Sequence, residues 1–226
     1  PRFLAVEKNF RFLDQAVSET GFGPCDGVLL DLGFSSDELL DPKKGLSFQQ
    51  DGILDMRLGP QSNDDGLTAA DIVNSWSKEE ITTLLQEYGE ERFAWKIAET
   101  IIKARKSARI VGTFDLVSVI KSAVPATYEH GRIHPATRTF QALRMAVNDE
   151  IPALKQAVQA AHAVLRPGGR CAIITFHSIE DRVVKHLFQN EEAWQSVSKK
   201  PIAPSEEECA RNPRARSAKL RAAIRI

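Results

Sequence analysis

No stretch of the chain runs apolar for the ~20 residues that a membrane span requires, and no cationic segment followed by an apolar one opens it as a secretory leader would. Cysteine is scarce: Cys25, Cys171 and Cys209 are the three thiols of 226 residues, and they lie far apart. That spacing excludes a zinc-ligand pattern, and an odd number of scattered thiols argues against a disulfide framework and for a reducing compartment. A catalytic serine or thiol motif is missing too, as is any other metal-ligand spacing. Net charge is also lacking, with 30 basic residues against 30 acidic ones. The expectation is a cytoplasmic protein with no membrane partner and no metal, or a mitochondrial one if the source is a eukaryote.

What is present fits a globular α/β chain. Hydrophobic residues make up 42% and charged residues 27%, the usual balance for a folded domain. The length suits one large domain, or one domain carrying an insert. The charge is unevenly placed. No acid follows Glu208, whereas Arg211, Arg214, Arg216, Lys219, Arg221 and Arg225 all do. Such a block marks either a contact with a polyanion or a solvated tail.

The stretch 27–32, Gly-Val-Leu-Leu-Asp-Leu before Gly33, reads as a buried parallel strand ending in a loop. Ahead of it, Phe3–Val6 has strand composition. Phe12, Leu13, Ala16 and Val17 give one face of a helix that stops at Gly21. Residues 35–60 are irregular and punctuated by Pro42, Gly45, Gly52 and Pro60, and such long loops are usually functional. A polar boundary, 61–66, leads into an all-helical block. Thr68 caps a helix running to Trp76, and Ser77 with Glu80 has capping-box spacing for a second. A third helix covers about 90–105, and a fourth starts after Thr113 and ends near Pro125. Then a helix begins near Pro135 and passes Asn148. Asn148 or Asp149 caps the next, with Pro152 in its first turn. Residues 170–176 form a second buried strand, Ser178 caps a helix over 179–190, and Leu220–Ile226 forms an edge strand. The domain expectation is therefore a first core part over 1–60, a helical insert over 61–133, and a second core part over 134–226 with a basic end.

Open α/β sheets bind ligands beyond the carboxyl ends of their strands. Two strand ends carry polar residues at that edge: Asp31 to Ser36, and Thr175 to Arg182. Asp31 is either a working carboxylate or a cap for the turn or the next helix. His177 is either an acid, base or phosphate contact, or a strand-end residue bonded to backbone. Asp31 and Phe34 resemble, without its usual prolines, the acid or amide followed three residues on by an aromatic in methyltransferases that act on exocyclic amines of bases. Such an amine is a poor nucleophile and needs an acceptor for its N–H as nitrogen becomes tetrahedral. The aromatic can stack on an extruded base.

Six blocks carry a resemblance. They are 26–33 (Asp-Gly-Val-Leu-Leu-Asp-Leu-Gly), 47–57 (Ser-Phe-Gln-Gln-Asp-Gly-Ile-Leu-Asp-Met-Arg) and 88–93 (Tyr-Gly-Glu-Glu-Arg-Phe). The others are 134–144 (His-Pro-Ala-Thr-Arg-Thr-Phe-Gln-Ala-Leu-Arg) with Val147 and Asn148, 176–185 (Phe-His-Ser-Ile-Glu-Asp-Arg-Val-Val-Lys) and 212–217 (Asn-Pro-Arg-Ala-Arg-Ser). Together they resemble the bacterial-type small-subunit ribosomal RNA cytosine-N4 methyltransferases, over nearly the whole chain.

The resemblance implies a Rossmann-like class I methyltransferase core with an inserted helical subdomain. It implies S-adenosylmethionine as cofactor, with Phe10, Asp31 and Glu38 lining its site. Position 38 is normally Gln in the family, and the residue at Phe34 is normally smaller. The implied substrate is a decoding-centre cytidine of small-subunit ribosomal RNA or of the assembling subunit. Asp31, with His177 or Ser178, would orient the amine. Phe34 or Phe176 would hold the base. Arg138, Arg144, Arg182, Arg214 and Arg216 would contact phosphates, although Arg138 and Arg144 could equally be structural pairs. The family begins with a glycine-rich loop and an acid-ended strand, and residues 1–10 match the region after both. The core is therefore expected to be N-terminally incomplete, the chain a fragment or truncated form. Strand 27–32 would then expose an edge, and a homodimer would be compatible with that. Two other readings stay open: a non-catalytic RNA-binding or ribosome-assembly protein of the same descent, and a methyltransferase acting on another base.

Overall fold

The structure, a computed structural model, describes residues 3–59, 62–63, 65–129 and 133–226. In chain order it contains α1 (Leu13–Thr20), β1 (Cys25–Asp31), α2 (Ser36–Leu40), α3 (Ala69–Ser75), α4 (Lys78–Gly89) and α5 (Ala94–Ala104). There follow α6 (Thr113–Ala123), α7 (Ala126–Glu129), α8 (Thr137–Val147), α9 (Glu150–Val164) and β2 (Leu165–Thr175). The chain ends with α10 (Ser178–Leu187), β3 (Trp194–Ser196), α11 (Glu206–Arg211) and β4 (Lys219–Arg225). These make two compact units: residues up to Gly33 with Ile151–Ile226, and Phe34–Glu150.

The first unit is built on a sheet of order β1-β2-β4-β3, a mixed α/β arrangement of the Rossmann-like methyltransferase type. β1 and β2 are parallel, with Val28 opposite Cys171 and Asp31 opposite Ile174. Two parallel neighbours need a crossover connection, and here it consists of the whole of the other unit together with α9. Leu30, Leu154, Val158, Leu165, Ile173, Val184 and Trp194 form the core beneath the sheet. β1 alternates: Leu30 is buried, whereas Leu29 is 65% exposed. Among the described residues β1 pairs only with β2, so it is an edge strand.

Several sequence expectations fail in this unit; strand β1 is not buried, since Leu30 is its one buried residue. Residues 3–6 form no strand, and Phe3, Leu4 and Val6 are exposed. A short apolar run becomes a strand only when a neighbour supplies its ladder bonds, and no described strand does so here. The last strand is not at the edge. β4 lies inside the sheet, antiparallel to both β2 and the three-residue β3. The local expectations hold better: α1 does stop at Gly21, which takes a left-handed conformation (φ +69°).

The second unit is helical. Ile72, Ile81, Leu85, Ile97, Ile101, Leu116, Ile120 and Leu143 fill its core. Thr68 and Ser77 cap α3 and α4 through reciprocal boxes with Asp71 and Glu80. Gly89, at the end of α4, faces α8: a Cβ there would lie 2.9 Å from the Arg138 carbonyl oxygen. The unit extends beyond 61–133 on both sides because the flanking segments carry core residues. Leu54 and Met56 are fully buried, and Phe140 and Leu143 nearly so. The irregular stretch before Gly59 is thus largely structural. Its Leu54 N–H donates to the Val111 carbonyl (3.0 Å), its Met56 N–H to that of Lys44 (2.7 Å), and the Phe48 ring stacks on His134 at 4.5 Å.

α8 ends at Val147, and Asn148 does not serve α9 as a cap. Its amide instead accepts from the Leu58 N–H (2.8 Å) and donates to the Met56 and Arg144 carbonyls (2.8 Å each). α5 starts at Ala94 rather than near Glu90, because Glu90 adopts a left-handed conformation (φ +48°) that closes α4.

Candidate active site

Asp31 is the last residue of β1, and the Leu32 N–H beyond it still reaches the Ile174 carbonyl at 3.1 Å. The carboxylate is exposed and, among the described residues, carries no hydrogen bond or ion pair. The cap reading of Asp31 fails, because that role belongs to Ser35. The Ser35 hydroxyl accepts from the Glu38 N–H (3.2 Å), and Glu38 Oε2 accepts from the Ser35 N–H (2.9 Å). Beyond Asp31 the backbone is bare: Gly33 has φ +106°, a conformation open to glycine.

On the neighbouring strand the chain leaves β2 through Phe176 and His177 and enters α10. The cap of α10 is His177, one residue before Ser178. His177 Nδ1 accepts from the Glu180 N–H (3.4 Å), while Glu180 Oε2 accepts from the Phe176 N–H (2.8 Å). His177 Nε2 lies 3.2 Å from Glu180 Oε1, and both side chains are largely buried. With Nδ1 accepting, Nε2 carries the proton and donates it to Glu180. Both ring nitrogens thus have partners within the turn, and His177 holds the entry to α10. Ser178 is exposed at the first position of α10.

A cleft of about 380 Å³ opens at this strand end. Phe176, His177 and Ser178 line one side, and Cys209, Arg216 and Lys219 line the other. Arg214 and Arg216 are exposed on a short 3-10 turn on either side of buried Ala215, and neither has an ion pair among the described residues. Arg211 makes an exposed pair with Glu207, and the other three residues of the block hold the fold. Arg221 donates to Asp181 at 2.7 Å and 3.2 Å, Lys219 donates to it at 3.3 Å, and Arg225 donates to the Leu165 carbonyl. Burial pushes the Asp181 carboxyl up, but Arg221 and Lys219 outweigh it and hold it below the usual carboxylate range.

The MraW methylase family model matches residues 1–226. The chain belongs to that family. It is 45% identical to a ribosomal RNA small subunit methyltransferase H of Carboxydothermus hydrogenoformans, covering all of this chain and 77% of that protein. Proteins of the same name from Thermomicrobium roseum and Deinococcus deserti are 46% and 45% identical, again over all of this chain and 73% of theirs. Membership makes the chain a methyltransferase and implies a methyl donor. It agrees with the resemblance carried by the six sequence blocks.

The other residues expected in this methylase's sites divide sharply. Phe10 opens a 3-10 turn, capped by Asn9, and is 40% exposed. Glu38 is spent on local structure. One oxygen serves the Ser35 cap and the other accepts from Lys44 at 2.8 Å, a bond that lowers its pKa. Phe34 is half-buried against the helical core, with the Arg144 guanidinium 5.0 Å from its ring centroid. Arg144 itself is bidentate to Glu150 at 2.7 and 2.9 Å. Arg138 donates to the Glu90 carbonyl at 2.6 Å. Both arginines thus make the structural contacts that the sequence reading sets beside a phosphate role. Arg182 is exposed on α10.

Sequence reasoning missed the roles of Lys44, which serves Glu38, and of Asn148 and Lys219, which reach Met56 and Asp181 far away in the chain. It also missed buried Glu91, which accepts from the Tyr128 hydroxyl at 2.9 and 3.1 Å. Only the His177 cap had a local signal, an acid three residues after a strand-end acceptor.

Proposed function

We propose that the chain methylates N4 of a cytidine in small-subunit ribosomal RNA, with S-adenosylmethionine as donor. The observation that carries this reading is the Asp31 carboxylate at the end of β1, which among the described residues has no hydrogen bond or ion pair; a cleft at the end of the adjacent β2 holds an aromatic ring and Arg216, which likewise has no ion pair among them. The names of the relatives support the RNA substrate. The donor set fits the cofactor: an exposed carboxylate followed by bare glycine backbone accepts hydrogen bonds and permits close approach. Phe10 adds exposed apolar surface. Glu38 already accepts from Ser35 and Lys44, one bond to each oxygen.

S-adenosylmethionine would supply an electrophilic sulfonium methyl, its sulfur–methyl bond breaking to leave a neutral thioether, so no metal is required to activate it. The protein's work is orientation. The N4 lone pair of cytosine is delocalised into the ring, and Asp31 draws it out by accepting one N4–H as nitrogen becomes tetrahedral. The same carboxylate takes the proton that N4 sheds on gaining the methyl carbon. Phe176, its backbone fixed by Glu180, bounds the base. Arg214 and Arg216 meet the flanking phosphates.

Incubating the protein with small-subunit RNA and a methyl-labelled donor tests this. Label should appear as N4-methylcytidine, and Asp31→Ala should abolish it. Undiminished turnover by that variant removes Asp31 from the mechanism, and label on another base overturns the cytidine assignment.

A further inference from the structure

The first unit holds a second, larger cleft of about 920 Å³, away from Asp31, at the upper end of the range typical for ligand pockets (~300–1,000 Å³). One wall is the C-terminal half of α10 and the turn after it, and the other is β3 with the segment through Lys199. Phe188 and Trp194 close its base and are themselves buried. Val197 is exposed on the rim, and Gln195 offers an amide. Lys185 and Lys199 both stand free of any ion pair among the described residues. Arg221, which also lines the cleft, is neutralised by Asp181, and the acid among the lining residues is Glu191. Unpaired cations, an amide and an apolar shelf together fit single-stranded nucleic acid.

The position of this cleft gives it a role. The segment that follows β3 runs beside β4 from the Val197 N–H, bonded to the Ala222 carbonyl, to Ile202, paired with Leu220. Lys199 therefore borders the large cleft, while Ala203 and Pro204 border the strand-end cleft. Three residues separate Lys199 from Ala203, and Lys200 is exposed among them.

We propose that this cleft binds the single-stranded RNA flanking the target nucleotide, with Lys185 and Lys199 on its phosphates. The proposal rests on the RNA reading above and adds a path: out of the strand-end cleft, past Lys200, into the groove between α10 and β3.

The test is fluorescence anisotropy of a labelled single-stranded RNA with a central cytidine, titrated with the full chain and with a Lys185→Gln/Lys199→Gln variant. The variant should bind several-fold more weakly at low salt. Its log–log salt slope should be shallower by about 1.4, at ~0.7 for each phosphate of a single strand that is no longer neutralised. In methyl transfer its KM for RNA should rise with kcat unchanged. Photo-crosslinking from 4-thiouridine beside the cytidine should mark the 194–199 peptide. Unchanged affinity and slope overturn the proposal while leaving the RNA reading intact. Wild-type protein with no RNA affinity overturns both.

Discussion

Glu180 and Asp181 are adjacent acids in the first turn of α10, and the sequence assigns both the same favourable charge at a helix N-terminus. In the structure their roles differ. Glu180 turns back to hold Phe176 and His177, whereas Asp181 reaches across to β4 and is clamped by Arg221 and Lys219. Because the folded pKa of Asp181 is lowered, its contribution is present above the unfolded value of about 3.9 and is lost as pH falls through the folded one. Asp181→Asn should cost about 3 kcal/mol at neutral pH, since it leaves the largely buried Arg221 guanidinium uncompensated. In urea titrations the gap between variant and wild type should narrow below about pH 4; a gap independent of pH would refute the linkage. Cys171 offers a second check. Burial pushes its thiol up to about 12, so a thiol reagent at pH 8 should label Cys25 and Cys209 in native protein and reach Cys171 only on unfolding.

Among elements, those set by local chemistry were legible in the sequence, and those set by pairing were not. Ser77 with Glu80, Thr68 and Gly21 announce helix ends through bonds that span a few residues, and the structure contains all three. The interior position of β4 depends on β2 and on a three-residue β3, neither of which its own pattern reveals. Residues 3–6 err in the opposite sense, with strand composition but no described neighbour. At the candidate site the strand-end position of Asp31 was legible. The commitment of His177, Glu38 and Arg144 to partners was not, because composition does not show whether a polar group is already satisfied. Gly89 shows how one residue sets the approach of two elements. Its Cβ would press on the Arg138 backbone of α8, so Gly89→Ala should destabilise by about 2 kcal/mol, as overpacking does, despite the gain in helix propensity. Ser77→Ala, which only removes a cap, should cost about 1 kcal/mol. Denaturant midpoints compare the two, and a neutral Gly89→Ala would show that α4 and α8 can separate without cost.

For the molecule as a whole, the division of the chain is the feature the sequence placed least well. Polar residues 61–66 look like a boundary, yet the core of the helical unit draws on both sides of them. Leu54 and Met56 come from before, Phe140 and Leu143 from beyond the expected end at 133, and all pack with Ile81, Leu85, Ile97 and Ile101. Within the polar stretch, Asn63 joins that packing. Asn63 donates to the Leu67 and Val147 carbonyls at 2.9 and 2.7 Å. The unit Phe34–Glu150 is continuous in sequence, whereas the sheet unit must bring two distant segments together. A fragment spanning 34–150 should therefore fold alone, with a helical circular-dichroism spectrum and a cooperative urea transition. A fragment spanning 61–133 should keep helical signal but lose cooperativity and bind a hydrophobic dye, since α4 is deprived of α8 and the core of four of its large side chains. Equal cooperativity in the two fragments would mean that the outer segments are covering rather than core.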